Sequence, residues 1–166
     1  MTLPVVLLPG FEIRSARADE VDAIQGLVRG AYAIYIPRIG QEPAPTRADY
    51  EALVHDGAVT VAVERSTILG VLVLRLHPDE LLLENVAVAP AAQRGGVGRA
   101  LIAFAEQRAR ELNLRKVTLY TNAQMTENLA LYRRLGYAEV GRRREDGFDR
   151  VFFEKTVDAP PSCARP

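Results

Sequence analysis

The stretch Val86-Ala87-Val88-Ala89-Pro90-Ala91-Ala92-Gln93-Arg94-Gly95-Gly96-Val97-Gly98-Arg99 holds the most specific chemical signal in this chain. An apolar run ends at Pro90, helical spacing begins at Val97, and Gly95, Gly96 and Gly98 lie at the junction. The first amides of a helix have no partner within it, and glycines let an anion approach them closely. The spacing therefore points to a phosphate or pyrophosphate site, the alternative being a tight glycine turn that binds nothing. Two nucleotide-binding patterns are excluded. The Gly-Lys-Ser/Thr of a P-loop is absent. A dinucleotide fingerprint needs an acid about 20 residues on, at the end of the next strand. Here that strand ends in Tyr120-Thr121.

The pattern Gln93-x-x-Gly96-x-Gly98 resembles the Q/R-x-x-G-x-G/A signature of the GNAT superfamily of N-acetyltransferases. Asn128-Leu129-Ala130-Leu131-Tyr132-Arg133-Arg134-Leu135-Gly136-Tyr137 is similar to that family's Y-x-x-x-G-F/Y helix, with one helix and one strand between the motifs. The resemblance runs from about Glu12 to Thr156 and is strongest from Leu81 to Tyr137. It implies an α/β fold, with a mixed, mostly antiparallel sheet of six or seven strands flanked by four helices. It also implies an enzyme that transfers the acetyl group of acetyl-CoA directly to a primary amine, in a ternary complex, without a metal. By the same resemblance, backbone groups of Val86, Ala87 and Val88 pair with the pantetheine arm. Gln93 belongs to the same motif, and the amides of Arg94, Gly95, Gly96, Val97, Gly98 and Arg99 hold the pyrophosphate. Tyr132 resembles the family's general acid. A thiol pKa near 8.5 makes thiolate a fair leaving group, and a positioned phenol helps it further. The plainer role for Tyr132 is an aromatic core residue.

Some positions depart from the family pattern. Many relatives carry a strand glutamate where this chain has Leu82; Glu84 lies two residues on and shares its face, because strand side chains alternate. Glu84 is the best single candidate base, acting directly or through water, or else a carboxylate paired with backbone or an arginine. Relatives often place a CoA-contacting asparagine where Met125 stands. Asn122 and Asn128 flank it, and each reads as a substitute cofactor contact or as a loop or first-turn residue. The segment Tyr32-x-x-Tyr35-x-x-Arg38-x-Gly40-x-x-Pro43-x-Pro45 borders the acceptor pocket in the family. Tyr32, Tyr35 and Arg38 suit a lid over a small substrate, against the alternative of a Pro-stiffened surface loop. Arg142-Arg143-Arg144 reads as a solvated strand end, and Cys163 as an inert tail residue.

These residues need a frame. Strand patterns run from Glu12 to Arg17, Ala58 to Glu64, Ile68 to Leu76, Leu81 to Val88 and Lys116 to Thr121. A closing hairpin, Tyr137–Arg144 with Arg150–Thr156, turns at Asp146-Gly147. Helical spacing follows Asp19, a candidate N-cap, to about Tyr32, then runs from Thr46, the candidate cap of a short second helix, to His55, then over Val97 to Leu112 and Thr126 to Leu135, where Gly136 is placed to terminate it. Pro37 to Pro45 reads as a loop.

The 166 residues suit one domain, with a core of about 12–156 and a flexible tail over 157–166. With 21 Lys+Arg against 21 Asp+Glu, bulk charge gives no pull toward nucleic acid. One cysteine and two histidines make a metal site a poor expectation. Leu3–Leu8 is broken by Pro4 and Pro9 and lacks a preceding basic stretch, so neither a targeting signal nor a membrane segment is expected, and the cytoplasm is the expected compartment. The expected partners are acetyl-CoA and an amine acceptor, with a homodimer left open because relatives often dimerise. Within the family the acceptor could also be a protein N-terminus or lysine, and a CoA-binding regulatory module without turnover is the rival from another class.

Overall fold

The computed structural model describes residues 3–158, so Cys163 and the tail from 159 lie outside the described residues. Val6–Leu8 (β1) pairs antiparallel with Phe11–Ser15 (β2) across a turn containing Gly10. The sequence reading has no strand here. Pro4 and Pro9 break the apolar run, and proline confines strand structure to short edge pieces. β1 is the sheet's extra edge strand.

A single helical turn at 18–20 leads into Val21–Tyr32 (α1). Asp19 does not cap it. Glu20 closes the turn instead, accepting from the Arg17 amide at 2.8 Å and from both terminal nitrogens of Arg14 at 2.6 and 3.0 Å. Arg14 is buried, and its guanidinium holds the Glu20 carboxyl below the usual carboxylate range. Ile24, Val28, Ala31 and Tyr32 form the buried stripe of α1.

A short helical turn at 33–35 follows α1, and the segment expected as a loop, Pro37 to Pro45, is largely taken up by further turns at Ile36–Ile39 (α2) and 44–47. Pro37 sits in the first turn of α2, where its missing N–H has no helical partner to lose, and Gly40 ends α2 with φ 81°. Tyr50–His55 (α3) is capped by Asp49, whose carboxylate accepts from the Ala52 amide at 3.0 Å. Thr46, the expected cap, instead donates to the Pro43 carbonyl.

Val59–Glu64 (β3) and Thr67–Leu76 (β4) form a hairpin, followed by Glu80–Val88 (β5) and Val97–Glu111 (α4). Then come Lys116–Asn122 (β6), Thr126–Arg134 (α5), Ala138–Glu145 (β7) and Phe148–Thr156 (β8). The last hairpin turns through Asp146 (φ 52°) and Gly147 (φ 80°), as an Asp-Gly two-residue turn with both φ positive should. The eight strands follow the order β1-β2-β3-β4-β5-β6-β8-β7. β5 and β6 run parallel, with Glu80–Leu83 in register with Lys116–Leu119, and the other registered pairs are antiparallel. The fold is thus the expected mixed α/β type. No helix among the described residues is long and apolar enough to cross a membrane.

The chain divides into two compact units, one ending its segments at Leu74 and Ile102, the other comprising Arg75–Leu83 and the chain from Ala103. In the first, Ile13, Ile24, Val28, Val61 and Leu72 are fully buried. Its tightest point is Gly70 on β4. A Cβ there would lie 2.8 Å from Leu101 Cδ1, 2.9 Å from Val97 Cγ1 and 3.3 Å from the Ala87 carbonyl oxygen. The backbone oxygen cannot yield as a leucine methyl can. Overpacking of this kind costs about 1–3 kcal/mol. Gly70→Ala is therefore expected to lower the unfolding free energy by that much, seen as a lower urea midpoint at unchanged slope, and an unchanged midpoint would show that the start of α4 moves freely. In the second unit, Leu119, Val117, Val151 and Phe153 form the core. Val157 is also buried, its amide bonded to the Arg115 carbonyl.

Candidate active site

The glycine turn lies in the first unit. β5 ends at Val88, 90–92 forms a helical turn, and Arg94 (φ 72°) and Gly96 (φ 81°) adopt left-handed backbone that redirects the chain into α4. α4 begins at Val97, and the Ala100 amide bonds to the Gly96 carbonyl, so the amides of Gly96 to Arg99 precede this bond at the helix N-terminus. Gln93, Arg94, Gly95, Gly96 and Arg99 are exposed, Gly98 is half-buried and Val97 is buried in the core. A Cβ at Gly96 would meet open space, whereas one at Gly98 would lie 3.3 Å from Val88 Cγ2. The turn thus has open space at Gly96 and a close neighbour at Gly98. Gln93 donates to the Val88 carbonyl at 3.4 Å, tying the turn back to the strand.

Along β5 the backbone groups alternate between its two edges. The Ala89 amide bonds to Leu69 on β4, and the Ala87 carbonyl faces Gly70 of that strand. The Ala87 carbonyl is therefore turned toward β4. Val86 and Val88 carry the groups of the other edge.

A buried polar chain supports this strand. The Pro45 carbonyl can only accept, so the Tyr50 hydroxyl, 2.8 Å away, donates to it. The Tyr50 oxygen must then accept from Asn85 Nδ2 at 3.1 Å, which turns Asn85 Oδ1 toward Tyr32 as acceptor of its hydroxyl. Tyr32 also reaches the Val86 carbonyl at 3.3 Å. Burial pushes the Tyr50 phenol well up, the Asn85 bond opposes this, and the nearby Glu84 charge adds to the rise. Glu84 is half-buried. The sequence reading missed Asn85. Its one signal is a lone amide in an apolar strand, a group that burial obliges to find partners.

Tyr32, expected as a substrate wall, is buried and supports β5 through this chain. Tyr35 is half-buried with its ring 6.2 Å from that of Tyr32, and exposed Arg38 stacks over Tyr35 at 5.4 Å.

The second unit holds Tyr132. Its ring is 4% exposed and lies 5.9 Å from the ring of Tyr137, edge-on, and 5.8 Å from that of Phe153. Gly136 (φ 90°) ends α5 as the sequence predicts, letting the Tyr137 amide return to the Tyr132 carbonyl at 3.0 Å. The Tyr137 hydroxyl donates to Glu106, and Lys155 donates to both Glu106 oxygens. Burial first, then the Glu106 charge, pushes the Tyr137 phenol far up. The sequence reading also missed Glu106 and Lys155. Nearer the start of α5, Asn122 Oδ1 accepts from the Gln124 amide at 2.9 Å, and Asn128 donates to the Met125 sulfur at 3.6 Å. The side chain of Asn122 shapes the turn before α5. No cluster of three metal-ligating side chains occurs among the described residues.

A mycothiol acetyltransferase of Cellulomonas flavigena is 30% identical over 145 residues, covering 80% of this chain and 42% of that protein. The chain spans less than half the length of the curated relatives it matches. Among solved structures, the ribosomal-protein-S18-alanine N-acetyltransferase of Escherichia coli superposes with a TM-score of 0.72 at 19% identity, covering 94% of this chain and 99% of that one. The PaiA N-acetyltransferase of Thermoplasma acidophilum, in complex with coenzyme A, gives 0.73 at 17% identity, covering 88% and 98%. The family model for GNAT acetyltransferases matches residues 25–137. That match takes in both the glycine turn and the helix of Tyr132 and covers more than half of the sequence; the chain belongs to the GNAT acetyltransferase family.

Proposed function

We propose that this protein transfers the acetyl group of acetyl-CoA to the primary amine of a small molecule. The observation that carries the reading is the exposed glycine turn at the N-terminus of α4, whose amides suit a pyrophosphate. Acetyl-CoA supplies an activated thioester, and this chain's residues do the rest. The amides of 94–99 bind, with Gln93 bracing the turn, and the outward groups of Val86 and Val88 align the pantetheine arm. Asn128 and Asn122 are secondary contacts at the start of α5. Glu84 takes the proton from the acceptor ammonium, directly or through water, so that the amine can attack. Tyr132 gives its phenolic proton to the departing sulfur.

The acceptor reading rests on the segment after α1. Short helical turns stiffened by Pro37, Pro43 and Pro45 favour a closed site over a peptide groove. Arg38, exposed and stacked on Tyr35, carries a planar guanidinium of the kind that holds a carboxylate bidentately. The test compares small amines with peptides by acetyl-CoA consumption, using wild type, Arg38→Ala and Glu84→Gln. Small amines should be the better substrates. Arg38→Ala should raise KM for carboxylate-bearing amines about tenfold, and Glu84→Gln should lower turnover by about 10²-fold or more. Peptides turning over faster, or an Arg38→Ala variant with every small-amine KM unchanged, would overturn this acceptor class.

A further inference from the structure

Lys155 lies outside both motifs, yet its ammonium is fully committed. An ammonium has three N–H donors. In the second unit they go to the Leu135 carbonyl at 2.8 Å and to the two Glu106 oxygens at 3.1 Å each. Leu135 follows the last turn of α5, where a positive charge complements the unpaired carbonyls. Glu106, on α4, is 8% exposed and also accepts from the Tyr137 hydroxyl at 3.1 Å, with Arg110 3.9 Å away. One cation thus ties β8, α4 and the end of α5 together.

Tyr132 sits inside that tie. Its carbonyl holds the Tyr137 amide, and its ring lies against Tyr137 on one side and Phe153 on another. Phe153 precedes Lys155 by two residues on β8, so both side chains leave the same face of the strand. Both rings that lie against Tyr132 are therefore tied to Lys155, Tyr137 through the shared carboxylate of Glu106 and Phe153 through the strand.

We infer that Lys155 is a positioning residue for the Tyr132 hydroxyl, an assignment that rests on Tyr132 being the general acid. Without the ammonium, Glu106 loses its closest cation and the Leu135 carbonyl its donor, and the last turn of α5 is free to shift. A displacement of about 1 Å at a reacting group can cost about 10²-fold in rate, while ground-state binding of the co-substrate stays intact.

The test is a double-mutant cycle between Lys155→Met and Tyr132→Phe, read by single-turnover acetyl transfer, with the KM for acetyl-CoA and the melting temperature measured alongside. Lys155→Met should slow transfer by about ten- to a hundredfold with the acetyl-CoA KM within about twofold of wild type. In the Tyr132→Phe background the same substitution should slow it no further, because there is no hydroxyl left to position. If Lys155→Met does not fold, the cycle is run on Lys155→Met/Glu106→Gln, which removes the unpaired buried charge. Equal losses in both backgrounds, or unimpaired transfer in folded Lys155→Met, overturn the positioning role. Unimpaired transfer in Tyr132→Phe itself overturns the general-acid reading first, and the two failures are told apart by which variant is silent.

Discussion

Gly98→Asp should abolish stabilisation by acetyl-CoA in a protein that remains folded. Wild type at a ligand concentration about 100 times Kd should gain about 2.7 kcal/mol, roughly 5–10 °C in melting temperature for a domain of this size. The substitution places a carboxylate in the first turn of α4, a position that favours acids in an empty helix, so the fold has an electrostatic reason to survive. The same charge repels a pyrophosphate bound at those amides. Gly98→Ala separates bulk from charge. Its Cβ needs only a few tenths of an ångström from the Val88 side chain, so it should retain most of the binding. A folded Gly98→Asp protein that still gains stability from acetyl-CoA would move the phosphate site away from the glycine turn.

Tyr132→Phe is expected to bind acetyl-CoA normally and to turn over about 10²-fold more slowly, toward the low end for general acids because thiolate is already a fair leaving group. The substitution keeps the ring contacts with Tyr137 and Phe153 and removes only the hydroxyl. Single-turnover rates isolate the chemical step from product release. Equal rates for the two proteins would return Tyr132 to a packing role.

The readable parts of this fold are those decided by neighbours in sequence. Gly136 and the Asp146-Gly147 turn need positive φ, which composition alone reveals, and both stand where the chain demands it. The glycine turn is local in the same sense, its strand, loop and helix occupying one short stretch. What escapes the sequence is decided by partners far along the chain. Tyr32 meets Asn85 across 53 positions, and Lys155 meets Glu106 across 49. Gly70 looks like any strand glycine until Val97 and Leu101 are packed against it. The helix caps fail for a subtler reason. Thr46 and Asp49 are both good capping types, and only the backbone between them shows which one starts α3.

The Tyr32–Asn85–Tyr50–Pro45 chain also bears on how an acceptor loses its proton. Its hydrogens all point one way, from Tyr32 toward a carbonyl that has none to pass on. A proton hopping along it would need the Asn85 amide to surrender an N–H and become an imidic acid, a tautomer far out of reach near neutral pH. The interior route past Tyr50 is therefore an insulator rather than a wire. Deuterium in the acceptor ammonium should wash out at the rate of bulk exchange through Glu84, with the Tyr50→Phe enzyme losing stability but keeping the wild-type solvent isotope effect.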